Sequence, residues 1–154
     1  MATWVNDDGL LVRYGTDQGK RGARPGSTQS NSKEQELILE VELTGAARTI
    51  FSTDLNNDGT ADGFTGLDAY LPQGVQITGQ RVIILETPAG GTNYTVGTFG
   101  QDGTVVDADG IRVAAGTDGA QIGTRAAQDL NVAVTTTGTY TAGRVKLIVN
   151  YYTV

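Results

Sequence analysis

The stretch Glu36-Leu37-Ile38-Leu39-Glu40-Val41-Glu42-Leu43 decides the class of the fold. Leu37, Leu39, Val41 and Leu43 occupy one parity; Ile38, Glu40 and Glu42 occupy the other. Successive side chains of a β-strand point to opposite faces, so this alternation predicts a half-buried strand with its aliphatic residues inward and its acids outward. The same period returns at Leu130, Val132 and Val134 and again at Val145, Leu147, Val149 and Tyr151, a strand expected in the middle of a sheet. Of the neighbours Tyr151 and Tyr152, one is therefore expected in the core and the other at the surface.

Further strands follow from weaker signals. Val75 to Glu86 reads as a longer strand with a bulge or bend at Gly79, Tyr94 to Phe99 as another, and Leu10 to Tyr14 as a short one. Between them stand Asp8-Gly9, Asp58-Gly59, Asp62-Gly63, Asp102-Gly103, Asp109-Gly110, Asp118-Gly119 and Gly90-Gly91, dipeptides that supply the positive φ of tight turns. No long window carries a helical period, although Asp107 to Ala115 is expected to hold one helical turn. With 22 glycines in 154 residues the composition favours short strands and many turns over βαβ units. The reading is an all-β protein: a single β-sandwich or jelly-roll domain, with a short N-terminal strand and a polar, basic arm.

The arm is read from Thr16 to Lys33, which lacks Val, Ile, Leu and aromatic residues and so contributes little to a core. Residues 1–15 are expected as an N-terminal strand and anchor, 16–35 as a flexible arm or long loop, and 36–154 as the jelly-roll-like body. Lys20, Arg21, Arg24 and Lys33 fall where no acid intervenes, although the chain as a whole carries a net charge of -6. A basic arm on an acidic body is a poor nucleic-acid binder, because duplex affinity rests on neutralising phosphates. No apolar run reaches the length of a membrane span, and the opening residues do not read as a secretory signal. The expectation is a protein of aqueous solution with neither nucleic acid nor membrane as partner.

Histidine and cysteine are absent, which removes the commonest general base, the usual triads and most catalytic zinc sites. Ser27, Ser30, Ser32 and Ser52 lie in the polar arm or beside a turn, outside any nucleophile-elbow context. The 17 acidic residues leave room for a carboxylate pair of the glycoside-hydrolysis type, which spacing along the chain does not identify. The chain is expected not to be an enzyme.

One motif points to a ligand. Asp54, Asn56, Asp58, Thr60 and Asp62 follow D-x-N-x-D-G-x-x-D, the first positions of a calcium loop, with Gly59 at the turn. Its oxygen-rich side chains suit a hard cation. Thr65 stands where an EF-hand carries its bidentate Glu, with Asp68 as a substitute nearby. The alternative is an Asx-rich surface loop that spends the same side chains on local hydrogen bonds. No cofactor is expected to be required, and Ca²⁺ is the one candidate.

The opening Trp4-Val5-Asn6-Asp7-Asp8-Gly9-Leu10-Leu11-Val12-Arg13-Tyr14-Gly15-Thr16 resembles the start of small head proteins of tailed bacteriophages. The closing Thr139-Tyr140-Thr141-Ala142-Gly143-Arg144-Val145-Lys146-Leu147-Ile148-Val149-Asn150-Tyr151-Tyr152 is similar to their last hairpin, and Leu71 to Gly100 and Asp107 to Gly116 follow them more loosely. The segment Asp54 to Gly66 departs from the pattern as an insertion. The resemblance implies a capsid decoration, or cement, protein: a jelly-roll homotrimer made in the host cytoplasm and seated on the outer surface of the virion. There it would reinforce capsomer junctions by binding the major capsid protein. Trp4, Lys20, Arg21, Arg24 and Lys33 are the expected contacts to the capsid or a neighbouring subunit. The alternative function is a calcium-assisted carbohydrate-binding β-sandwich.

Overall fold

A computed structural model describes residues 2–5, 11–14, 23–29, 34–54, 59–61 and 70–153, the first three of these segments through their backbone. Among the described residues it contains strands and no helix. The strands are β1 (Ala2–Val5), β2 (Leu11–Tyr14), β3 (Ala23–Gln29), β4 (Glu34–Glu42) and β5 (Thr49–Phe51). They continue with β6 (Gln76–Ala89), β7 (Asn93–Phe99), β8 (Val105–Arg112), β9 (Asn131–Thr137) and β10 (Ala142–Tyr152).

Two antiparallel sheets pack into a β-sandwich. One has the order β1-β2-β3-β4-β10-β6, the other β5-β9-β7-β8. The alternation of β4 and β10 builds the centre of the larger sheet: Val41, Leu39 and Leu37 stand opposite Val145, Leu147 and Val149, all buried. Across the core lie Ile50, Val96, Ile111, Val132 and Val134 from the smaller sheet. Each such aliphatic side chain contributes about 1.5–3 kcal/mol of burial, so this interface is the main source of stability. Tyr151 is in the core and Tyr152 is exposed, as the alternation requires.

The smaller sheet has a second apolar layer on its other face. Phe51 and Phe99 meet edge to face at 5.3 Å and 83°, over Ala133 of β9 and beside Ala61. Strand β9 is thus buried on both faces, with Asn131 a fully buried polar residue of its outer face. The Asn131 side chain accepts a hydrogen bond from the Thr53 hydroxyl and donates one of 2.9 Å to the Gly100 carbonyl. A buried amide held on both sides fixes the turn after β5 to the turn after β7.

Three expectations change. Asp107 to Ala115 holds no helical turn: most of it is the end of β8, where four residues of β8 bulge opposite Gly97 between the pairs Val96–Arg112 and Thr98–Asp107. A Cβ on Gly97 would stand 2.3–2.4 Å from the Asp107 and Ala108 backbone, so glycine is what admits the bulge. Within 16–35, read as an arm or long loop, Ala23–Gln29 forms β3 and pairs with β4 from Ala23–Val41 to Gln29–Gln35. Backbone N–H and C=O groups along β4 accept any extended segment, whatever its side chains, which is why composition does not reveal β3. Pro25 falls where β3 has β4 on one side and, among the described residues, no partner on the other, a place that tolerates a missing N–H. Finally, Gly59 and Gly103 do take positive φ after their aspartates, whereas Gly110 and Gly119 do not. A Cβ on Gly119 would lie 2.2–2.4 Å from the Asp109 and Gly110 backbone, so it serves close approach instead.

Candidate interaction surface

Strand β6 pairs with β10 on one side; on its other side only its first residues, Gln76 and Ile77, are bonded among the described residues, to Gly123 to Arg125, so that from Gly79 onward it is the edge of the larger sheet. Its register explains what it exposes. Gln80, Val82 and Ile84 stand opposite Val149, Leu147 and Val145 and share their core face, while Arg81 and Ile83 stand opposite Ile148 and Lys146 on the outer face. Between Ile84–Val145 and Glu86–Arg144 one residue of β6, Leu85, is extra, so Glu86 returns to the outer face. A second irregularity at Thr78, between Ile77 and Gly79, is the bulge expected near Gly79.

Ile77 is buried, but farther along the strand Ile83, Ile84 and Leu85 are 42%, 59% and 42% exposed. Strand β8 is the corresponding edge of the smaller sheet and exposes Val105 and Val106. The two edges lie on one side of the sandwich. Ile77 and Val106 line a common cavity of about 120 Å³ with Gln121, Ala126 and Leu130, and Pro88 and Arg112 share a cleft farther along. Three consecutive large aliphatic side chains at a strand edge, with unpaired backbone groups beside them, present both hydrogen-bonding and apolar surface to another protein. The signal for this site in the sequence is the run Val82-Ile83-Ile84-Leu85: any strand carrying four apolar residues in succession turns some of them away from its own core.

The cleft, about 310 Å³, is lined by Tyr94, Tyr140, Arg112, Asn93 and Thr92 beside Pro88. The Arg112 guanidinium lies 5.5 Å from the centre of the Tyr94 ring and donates a 2.7 Å hydrogen bond to the Gly116 carbonyl. Burial, with the neighbouring Tyr94, raises the pKa of Tyr140 above the ordinary phenol value.

The expected calcium loop is described in part. Asp54 is buried, and its Oδ2 accepts a 3.0 Å hydrogen bond from the Gly59 N–H, closing the loop at the turn residue. Thr60 is exposed. Asn56, Asp58 and Asp62, with Thr65 and Asp68, lie outside the described residues. Among the described residues no group of three or more His, Cys, Asp or Glu gathers as for a metal ion. The described residues of the loop follow β5, and Ala61 lies near Phe51 and Gly103, at the Phe99 end of β7, whereas the tyrosine cleft is at the Asn93 end. A seven-residue strand separates these ends by about 20 Å, so a ligand in the cleft would not share a cation held by the loop.

Of the expected capsid contacts, Trp4 lies on β1 opposite Val12, and Arg24 on β3 opposite Glu40. Glu40 is in turn 3.6 Å from Arg144. Lys20, Arg21 and Lys33 lie outside the described residues. No family model, curated protein or solved structure matches this chain.

Proposed function

We infer that this β-sandwich is a structural protein that acts by associating with other protein subunits rather than by catalysis. The observation that carries the reading is the β6 edge, where Ile83, Ile84 and Leu85 are exposed in succession beside backbone that no second strand pairs among the described residues. Soluble monomers rarely leave such an edge uncovered. Together with the resemblance of its opening and closing segments to small head proteins, this supports a decoration protein on the outer surface of a tailed-phage capsid. Its partners are the major capsid protein and copies of itself, and the basic residues Lys20, Arg21, Arg24 and Lys33 with Trp4 are the proposed capsid contacts. The homotrimer is the stoichiometry that the resemblance implies.

The test is sedimentation of the purified protein with expanded tailed-phage heads stripped of their own decoration protein. Saturable retention at a fixed ratio to the major capsid protein, weakening as salt rises, is expected. Absence of retention at low salt overturns the capsid assignment, and a turnover that survives repurification and disappears on replacing one carboxylate overturns the non-catalytic one. The tyrosine cleft favours a second reading, carbohydrate binding through Tyr94 and Tyr140. Glycan retention abolished by Tyr94→Ala but indifferent to EDTA would support it.

A further inference from the structure

We propose that two copies of this chain join through their β6 edges in a two-fold pair centred on Ile83. The inference concerns the same edge as the proposed function and specifies its occupant as a second copy, through a self-complementary pattern of side chains. A two-fold axis normal to the sheet makes two edge strands antiparallel and keeps each residue on its own face. It therefore sets like parity against like. With Ile83 opposite Ile83 of the second copy, Val82 stands opposite Ile84 and both lie on the core-facing side. The extra residue Leu85 then decides the charges. Simple counting would place Arg81 and Glu86 on opposite faces, but the bulge returns Glu86 to the outer face, as its pairing with Arg144 shows. Arg81 consequently meets the bulged pair Leu85–Glu86 of the second copy with the two charges on one face, and symmetry repeats the contact. Strand β10 already accommodates this bulge from the other side, with Val145 and Arg144 opposite Ile84 and Glu86.

The pattern also sets the length of the contact. Pro88 has no N–H to contribute, so pairing ends beyond Thr87, and Gly79 beside its own bulge ends it at the symmetry-related position. What remains is Gln80 to Thr87, which contains the exposed aliphatic run and its two flanking charges and nothing of like sign opposed. Arg81 and Glu86 are both exposed, and the described ion pair of the outer face is instead Arg144–Glu40. An apolar centre flanked by opposite charges in mirror order fits a copy of itself better than an unrelated edge, since any other strand would have to reproduce the order. The pair is closed and isologous, so it makes the free protein a dimer in place of the homotrimer that the resemblance implies.

The test is sedimentation equilibrium and light scattering of the full chain over a concentration series, without capsids. A monomer–dimer equilibrium is expected. Arg81→Glu, which sets acid against acid twice, weakens the dimer roughly tenfold or more, and Glu86→Arg does the same. The double variant R81E/E86R restores it, because the order is then reversed on both copies. Both positions are exposed, so the fold is retained, which circular dichroism at low concentration checks; Arg81→Glu is expected to melt with the parent, and Glu86→Arg, which sets a second arginine opposite Arg144 of its own sheet, somewhat lower. Monomer at every concentration, a trimer, or a dimer indifferent to the single reversals overturns the proposal. These outcomes are independent of head binding: a chain that dimerises and fails to bind heads sinks the capsid assignment alone, and a monomer that binds heads sinks the two-fold pair alone.

Discussion

The ring of Tyr140 fills the space that a side chain on Gly91 would need: a Cβ there would stand 2.1 Å from Cε2 and 2.2 Å from Cζ. Tyr140 comes from the turn before β10 and Gly91 from the turn before β7, so this contact closes the end of the sandwich that holds the cleft. Tyr140 is buried and belongs to the main core.

Gly91→Ala is therefore expected to displace the ring and lower stability by about 1–3 kcal/mol, the cost of overpacking a fitted site. Gly79→Ala is the control, since a Cβ at Gly79 meets nothing within 4 Å and its φ is not in the left-handed region. Its midpoint in urea is expected to match or exceed the parent's. Equal losses at the two positions would show that the Tyr140 contact is not tight.

Asn131→Ala is expected to be among the most damaging single changes on β9. It removes both side-chain bonds and takes from the buried Thr53 hydroxyl the partner described for it, at about 1–3 kcal/mol, whereas the Gly100 carbonyl keeps the bond from the Gly103 N–H. Thr53→Val removes one of the bonds and is expected to cost less. The order of the urea midpoints, parent above T53V above N131A, is the measurement.

Asp54→Ala is expected to lower the melting temperature in EDTA as well as in millimolar calcium, because the bond from the Gly59 N–H to the Asp54 carboxylate requires no metal. Melting curves of parent and variant in the two buffers check this. A loss confined to calcium would assign the carboxylate to a bound cation, which stabilises by mass action.

Alkaline pH is expected to destabilise the parent more than Tyr140→Phe. Burial raises the folded pKa of Tyr140, with Tyr94 adding to the effect, so the fold prefers the neutral phenol. That contribution is complete below the unfolded phenol value of about 10 and is lost as pH rises through the higher folded value. Guanidinium midpoints measured across that window should fall for the parent relative to Tyr140→Phe as the pH rises. A parallel decline would remove Tyr140 from the cause.

The arm reading shows where composition misleads. Thr16 to Lys33 offers no large apolar side chain, yet Ala23–Gln29 is a strand in the larger sheet. A deletion of 18–32 would thus remove β3 from between β2 and β4 and is not a clean probe of capsid attachment. The Asp54 motif was legible as an oxygen-rich loop, and Gly59 does make its turn. Whether it serves a cation depends on side chains brought together from other segments, which spacing along the chain does not encode.

The amino-acid order by itself determined the all-β class and the faces of β4, β9 and β10, because the two-residue period of a pleated strand is a local property of the backbone. It determined the split between Tyr151 and Tyr152 for the same reason, and it marked the bulge near Gly79, as a bulge or bend, through the glycine that interrupts the strand. Only the tertiary structure decided that Val82 to Leu85 lies at an edge while Val145 to Val149 lies at a centre, although both are aliphatic strand sequences. Strand order is a relation between distant segments: β10 is buried because β4 and β6 flank it, and Ile83 and Ile84 are exposed because no described strand pairs with this part of β6 on the side away from β10. The exposed edge, and with it the surface proposed for association, is a consequence of that order rather than of any residue in the run.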